Sequence, residues 1–239
     1  MPPTISVLTP SYNKAVYVMD AVGSVLNQYF THWEYWLIDN STDQVTRQKL
    51  RRKLPRDPRL HYLEYDFSQA QRRDYNVQAY IINQVYPELA GSYIFYLSDD
   101  DIIYPFCFEK MINFLDSHPD AWVCYHSQQR LVWQKDRWTG GGGIHIKHVY
   151  GKDTSFPAVD CVLDGGQIMH RRACLDQLAP PYMPQDPQSA CHCDGLFLQR
   201  LADRFTIYPI EYQEPLSAHR VTPLSTWVKP PPPINQVKS

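Results

Sequence analysis

The first 126 residues alternate short apolar runs with amphipathic segments, and this alternation restricts the fold more than any other feature. Apolar runs of strand length occur at residues 5–9, 35–38, 61–65, 93–97 and 121–126. Apolar residues at helical spacing predict intervening helices at residues 15–29, 45–54, 69–85 and 105–115. Strands that alternate with helices pair in parallel through right-handed crossovers. We therefore predict an α/β fold with a mostly parallel central sheet flanked by helices.

The second half of the chain is less regular. Residues 162–170 resemble a strand, residues 194–203 a helix, and residues 206–212 a last strand. Four consecutive glycines, Gly140 to Gly143, predict a flexible segment. The Pro-rich tail at 229–239 predicts an extended, poorly ordered end.

Composition excludes several classes of protein. The 239 residues carry 23 basic and 25 acidic side chains, which argues against a nucleic-acid partner. No signal peptide and no apolar stretch long enough for a transmembrane helix is visible, and the six cysteines are scattered. The spacing in Cys191-His192-Cys193 does not fit a structural zinc site. We therefore expect a cytoplasmic protein. Peripheral contact with a membrane is compatible with this expectation.

Polar clusters follow three of the predicted strands. They are the segment Thr9 to Asn13, the residue Asp39, and the triplet Asp99 to Asp101. In parallel sheets, ligands bind outside the carboxyl ends of the strands. The clusters therefore predict a ligand site at that edge of the sheet.

The aspartate triplet predicts a metal site. Three adjacent carboxylates repel one another, and a hard divalent cation such as Mg²⁺ or Mn²⁺ would relieve the repulsion while bridging to substrate phosphates. The alternative is an acidic turn that caps the helix after Pro105.

The other clusters have similar alternatives. Asp39 either accepts a hydrogen bond from a base or a ribose, or closes an Asx turn. The hydroxyls and backbone after Thr9 face a nucleotide, or Ser11 or Asn13 caps the next helix. Arg72 and Arg73 either reach a diphosphate or lie on a solvated helix face.

In combination, four segments resemble the family 2 glycosyltransferases of the GT-A fold. They are ISVLTPSYNK, WEYWLIDNSTDQ, SYIFYLSDDDIIYP and CDGLFLQRLADRF, and the resemblance covers roughly residues 4 to 220. It implies one GT-A domain at 1–228, with a donor-binding half at about 1–126 and an acceptor-binding half at about 127–228. It implies an inverting, metal-dependent transfer of a sugar, from a UDP-sugar in preference to other donors, to an acceptor hydroxyl in polysaccharide or glycoconjugate synthesis.

The resemblance also implies residue roles on the donor side. Thr9, Pro10 and Tyr12 would line the nucleobase pocket, Asp39 would bind the base, and Arg73 would contact the nucleotide diphosphate. Residues Asp99 and Asp100 would bind both the nucleotide and Mn²⁺ or Mg²⁺.

Further roles concern the metal ion and the chemistry. Asp101 and His219 would complete the metal shell, and Asp194 would be the general base. Asp164 with Gly165-Gly166 would border the acceptor pocket, or the glycines would form a tight bend. The rival functions are a nucleotidyltransferase and a non-catalytic sugar-nucleotide binding relative.

Overall fold

A computed structural model describes residues 3–134, 137–144, 147–159, 162–186, 193–210 and 214–222. The predicted tail at 229–239 and most of the Cys191-His192-Cys193 segment lie outside these residues. Among the described residues, no helix combines the length and apolar character needed to cross a bilayer.

The described strands form a seven-stranded and a four-stranded sheet. Their bounds are β1 Ile5–Ser11, β2 Trp33–Asp39, β3 Leu60–Glu64, β4 Tyr93–Tyr96, β5 Ile102–Ile103, β6 Val123–Tyr125, β7 Gln128–Gln134, β8 Arg137–Ile144, β9 Ile168–Arg171, β10 Ile207–Pro209 and β11 Ser217–Val221. The large sheet has the order β10-β6-β9-β4-β1-β2-β3, and only β9 runs antiparallel to its neighbours. The small sheet has the order β5-β11-β7-β8.

Six α-helices flank the large sheet. They are α1 Val18–Leu26, α2 Gln44–Lys53, α3 Gln69–Asp74, α4 Val77–Val85, α5 Cys107–Ser117 and α6 Cys193–Ala202. Short 3-10 turns occur at Tyr86–Glu88, Gly165–Gln167 and Arg172–Gln177.

Both faces of the large sheet are covered by apolar side chains. Successive strand residues point to opposite faces, so Val7 packs in one core cluster and Leu8 in the other. Ile81 of α4 and Phe197 of α6 lie with Leu8, whereas Phe108 of α5 lies with Val7. Burial on both faces explains why the central strands read as continuous apolar runs. The predicted α/β architecture is confirmed.

Several element boundaries differ from the predictions. The single helix predicted at 69–85 is two helices, because the Asn76 side chain caps α4 by accepting the Ala79 N–H at 3.0 Å. The strand predicted at 162–170 begins only at Ile168, after a 3-10 turn. The glycine run predicted to be flexible lies in β8, paired with β7.

The last part of the chain also differs. Within the strand predicted at 206–212, the described residues form β10 at Ile207–Pro209, and residues 211–212 lie outside the described part of the chain. Strand β11 was not among the predicted elements. With two apolar residues out of five, SAHRV gives little periodic signal.

Candidate functional site

The carboxyl ends of β1, β2 and β4 bring the predicted polar clusters to one edge of the sheet. Ser11 is paired with Asp39 in the β1–β2 register, and the Tyr12 N–H donates to Asp99 Oδ2 at 3.0 Å. All three aspartates of the triplet are buried. The three clusters therefore meet as the sequence predicted.

Asp39 is fully buried at the end of β2. Its Oδ1 accepts the Ser41 N–H at 2.9 Å, which closes an Asx turn, and its Oδ2 accepts the Tyr62 hydroxyl at 3.0 Å. Each carboxylate oxygen has two lone pairs, so these bonds leave acceptor capacity for a ligand.

The turn after β1 is tied to the turn after β2. Asn13 has a left-handed backbone, with φ 54°, and its Oδ1 accepts the N–H groups of Thr42 and Asp43 at 3.0 Å each. The predicted capping of α1 by Ser11 or Asn13 is wrong, because α1 follows Tyr17 and has no side-chain cap. Asn13 is used to join the two turns instead.

Two of the residues predicted to line a nucleobase pocket differ in exposure. Tyr12 is 45% exposed, and the Arg72 guanidinium carbon lies 4.6 Å from the centre of its ring. Thr9 is fully buried, and its hydroxyl accepts the Tyr35 hydroxyl at 3.0 Å. Pro10 is partly buried between them.

Of the two candidate arginines, Arg72 faces the site. Its Nη1 donates to Asn40 Oδ1 at 2.9 Å, and its Nη2 donates to the Asn40 carbonyl. Arg73, which the sequence favoured, has an exposed side chain that contacts the neighbouring Asp74 at 3.2 Å.

Lys14 neutralises part of the aspartate triplet. Its ammonium lies 3.1 Å from Asp99 Oδ1 and 2.7 Å from Asp100 Oδ2. Burial lowers the pKa of Lys14, but the two carboxylates outweigh that effect and raise it. Burial, helped by the charge of Asp100, raises the pKa of Asp99 above its usual value, although Lys14 opposes this shift. Lys14 belongs to the ISVLTPSYNK segment, yet sequence reasoning gave it no role.

The third aspartate has different partners. Asp101 Oδ2 lies 3.3 Å from His219 Nδ1, and Asp164 Oδ2 lies 4.0 Å from the same nitrogen. One ligand atom from each of these three residues lies within 4.8 Å of the other two. Two carboxylates and an imidazole fit a divalent cation, because such ions accept oxygen and imidazole ligands.

The group of Asp101, Asp164 and His219 is here called the acid–histidine cluster, and the pKa values of Asp164 and His219 are strongly shifted. Burial, followed by the charges of Asp101 and Asp194, raises the pKa of Asp164 to about 7. Burial lowers the pKa of His219, but a hydrogen bond to Asp101 and the nearby carboxylates raise it to about 9. Without a metal ion, protonated His219 partly balances the carboxylates.

Asp194 lies beside this cluster, in the first turn of α6. Its Oδ1 accepts the Gly195 N–H at 2.9 Å, and the Gly165 N–H approaches its Oδ2 at 3.5 Å. Asp164 Oδ1 accepts the Gly166 N–H at 2.8 Å. The 3-10 turn at Gly165–Gln167 thus brings Asp164 and Asp194 together, and the glycines form the tight bend considered as an alternative.

Comparisons with known proteins identify the family of the chain. Residues 6–176 match the family described as "Glycosyl transferase family 2". Protein CgeD of Bacillus subtilis (strain 168) is 28% identical over 210 residues, which cover 86% of this chain and 48% of CgeD. The putative teichuronic acid biosynthesis glycosyltransferase TuaG of the same strain is 34% identical over 115 residues, 47% of this chain and 42% of TuaG. The chain thus spans about half the length of these relatives.

Solved structures share the fold at low sequence identity. S. aureus TarS 1–349 superimposes with a TM-score of 0.66 and 17% identity, covering 92% of this chain and 60% of that one. The mannosyltransferase PcManGT from Pyrobaculum calidifontis, in complex with GDP-Man and Mn²⁺, gives a TM-score of 0.64 and 14% identity, covering 95% and 59%. At such identities the likeness establishes the fold alone.

Proposed function

The chain belongs to glycosyl transferase family 2 and has the GT-A fold, and on that premise we propose a metal-dependent transfer of a sugar from a nucleotide-diphosphate donor to an acceptor hydroxyl. The observation that carries the proposal is the partly buried acid–histidine cluster beside Asp194. We infer a UDP-sugar as the preferred donor, inversion at the anomeric carbon, and a role in surface polysaccharide or glycoconjugate synthesis. We also propose a cytoplasmic location, and this location is compatible with peripheral contact with a membrane.

We propose that Asp101, Asp164 and His219 hold Mn²⁺ or Mg²⁺. Such an ion, when bound, supplies positive charge to the departing nucleoside diphosphate. Supporting this, a structural relative, PcManGT, was solved with GDP-Man and Mn²⁺. Asp99 and Asp100 remain predicted ligands, although Lys14 lies within 3.1 Å of each carboxylate.

On the donor side, Asp39 and Tyr12 are proposed to bind the base. The free lone pairs of Asp39 suit a base N–H, and the exposed Tyr12 ring offers a stacking surface. Arg72 lies against that ring and is the better placed arginine for the diphosphate, whose oxygens match a guanidinium fork. Arg73 remains a prediction.

On the acceptor side, Asp194 is proposed as the general base. It would take the proton of the attacking hydroxyl while that oxygen bonds to the anomeric carbon from the face opposite the diphosphate. Attack from that face inverts the configuration. The position of Asp194 next to the Asp164 turn supports this assignment.

A coupled assay tests the proposal. Purified protein is given UDP-, GDP- and dTDP-sugars with Mn²⁺, Mg²⁺ or EDTA, and nucleoside diphosphate and pyrophosphate are measured separately. Metal-dependent release of nucleoside diphosphate is expected. Pyrophosphate release would instead identify a nucleotidyltransferase, and donor binding without any turnover would identify a non-catalytic relative.

Replacement of Asp194 tests the base. Asp194→Asn should lower transfer by at least about 10²-fold, because a positioned base contributes that much, while the donor Kd stays nearly unchanged. Asp203→Asn, an exposed residue just after the end of α6, is the matched control and should retain activity. Normal turnover in the Asp194→Asn variant would remove the assignment.

A further inference from the structure

The small sheet places Arg130 next to His219. Strands β11 and β7 are parallel, and His219 is paired with Arg130 in their register. Paired residues on adjacent strands point to the same face, about 5 Å apart at their Cβ atoms. Arg130 therefore lies on the face of the small sheet that carries the acid–histidine cluster, whereas Arg220 points to the opposite face.

The Arg130 side chain is exposed and has no acidic partner among the described residues. Arg220 is buried and donates to Asp20 Oδ2 at 2.6 Å. The two neighbouring arginines thus differ in use: Arg220 joins parts of the fold, and Arg130 leaves its guanidinium available to a ligand.

The segment of β8 that lies beside Arg130 consists of glycines. Arg130 is paired with Gly141 of β8, within the run Gly140 to Gly143. Glycine within a strand often marks a place where a ligand approaches the backbone closely. A flat ring could therefore lie on β8 beside the guanidinium.

A second donor lies on the same face, two residues earlier in β7. Gln128 is 2% exposed, and its Nε2 has no hydrogen-bond partner among the described residues. A Cβ at Gly166 would lie 4.0 Å from this nitrogen and 3.1 Å from Asp164 Oδ1, so the unused amide lies near Asp164. Buried amides are normally paired, and an unpaired one indicates a missing partner.

We propose that Arg130 and Gln128 form a subsite for an anionic group, a carboxylate or a phosphate, on the acceptor. The proposal rests on the proposed glycosyl transfer and names the class of its acceptor: a uronic acid or a phosphate-bearing sugar or polyol. The Arg130 guanidinium has only N–H donors, and the unpaired atom of Gln128 is its Nε2 donor, so both side chains can donate to such a group. The acceptor is assigned in preference to the donor because Arg130 lies on the small sheet, whereas Asp39 and Tyr12 lie at the ends of strands of the large sheet.

Paired acceptor probes test the subsite in the full chain with donor and Mn²⁺. Methyl β-D-glucuronide and methyl β-D-glucoside 6-phosphate are compared with methyl β-D-glucoside, by transfer and by ligand-detected NMR binding. Wild type should favour at least one anionic probe by about ten- to hundred-fold, the range expected for hydrogen bonds to a charged group. Comparison of the glucuronide with the 6-phosphate shows whether the subsite binds a carboxylate or a phosphate.

Three variants complete the test. Arg130→Gln should abolish the preference while leaving binding of the neutral probe and slow hydrolysis of the donor unchanged. Gln128→Leu should lower the preference for the anionic probe partly. Arg137 is an exposed arginine on β8, and Arg137→Gln should leave the preference intact.

Two results would overturn the subsite: wild type that binds the three probes equally, or Arg130→Gln that keeps the preference. A changed donor KM in Arg130→Gln would assign the anion to the donor sugar and so also overturn it. Absence of donor turnover in wild type would instead contradict the proposed function, a result that the hydrolysis measurement distinguishes.

Discussion

Lys14 lets two buried carboxylates lie side by side. Its ammonium contacts both Asp99 and Asp100, and the side chain is 21% exposed. Removing one partner of a buried ion pair leaves an uncompensated charge, which costs much more than the pair contributes. At the scale of single residues, Lys14 is therefore a condition for the aspartate triplet in the absence of ligands.

Lys14→Met should lower the free energy of unfolding by about 3 kcal/mol in EDTA. This value is near the lower end of the costs found when one partner of a buried ion pair is removed, because the lysine is partly exposed. Lys14→Arg keeps the charge and should lose much less. Urea unfolding of both variants and wild type measures the difference. Equal stability of Lys14→Met and wild type would show that the triplet needs no internal cation.

A second prediction concerns pH and His170. This residue is fully buried, and its Nδ1 lies 2.8 Å from the Arg171 carbonyl oxygen. Because a carbonyl oxygen can only accept, Nδ1 carries the proton. The other ring nitrogen, Nε2, therefore accepts a hydrogen bond from the Tyr96 hydroxyl, whose oxygen lies 3.2 Å from it. The ring is thus held neutral, and burial lowers the pKa of His170 to about 4, below the usual 6.5. Above pH 6.5 neither the folded nor the unfolded state binds this proton.

As pH falls from 6.5 to 4, the unfolded chain takes up the proton first, so stability is lost. The loss due to His170 amounts to about 3 kcal/mol, at about 1.4 kcal/mol per pKa unit. His170→Gln should therefore flatten the decline in unfolding free energy between pH 7 and 4.5, whatever its stability at pH 7. An unchanged slope, measured by denaturant titration at each pH, would contradict the assignment.

At the scale of elements, β1 and the segment before β4 approach each other closely at Gly91. A Cβ on Gly91 would lie 2.4 Å from the Ser6 nitrogen and 2.6 Å from the Ile5 carbonyl carbon. The Gly91 N–H also donates to Ser6 Oγ at 2.9 Å. Because β1 and β4 both lead into the candidate site, their separation fixes the positions of Tyr12 and Asp99.

Gly91→Ala should lower the free energy of unfolding by about 3 kcal/mol, since backbone atoms must move to admit the methyl group. Gly23→Ala is the matched control: it lies within α1 with no atom within 4 Å of the added Cβ. That variant should be more stable by about 0.5–1 kcal/mol. Thermal and urea unfolding of both variants measure these changes in stability. A Gly91→Ala variant as stable as wild type would mean that the two strands separate easily.

The sequence predicted the parallel strands well because both faces of each are buried, which leaves long apolar runs. It predicted that Asp39 and the aspartate triplet lie at the same edge of the sheet, because strand ends in parallel sheets share one edge. It did not give Asp164 a place in the cluster, since periodicity carries no information on strand direction and β9 is antiparallel. The sequence did not predict the ion pairs of Lys14 with Asp99 and Asp100, because the sequence pattern around a lysine is the same whether its side chain is solvated or bound to a carboxylate.

At the scale of the whole molecule, the acid–histidine cluster connects the two sheets. Asp101 precedes β5, Asp164 precedes β9 of the large sheet, and His219 lies in β11 of the small sheet. A cation held by all three would bind the folded chain and not the unfolded chain. Such a ligand stabilises the fold by mass action.

Mn²⁺ at a hundred times its Kd should raise the unfolding free energy by about 2.7 kcal/mol relative to EDTA. Asp164→Asn and His219→Ala should abolish the increase, while Asp57→Asn, in a surface pair with Arg59, should keep it. Asp99→Asn tests the ligand set predicted from sequence. A full response to Mn²⁺ in His219→Ala would exclude this histidine as a ligand.

The reversed direction of β9 has a consequence for how members of such a family diverge. An antiparallel strand starts where its parallel neighbours stop, so Asp164 is anchored by the register of Phe95 with Met169 and not by the route of the preceding chain. The exposed positions at 152–153 and 155–158 can therefore change in composition without displacing this carboxylate, whereas Tyr150 and Val159 are buried in the core.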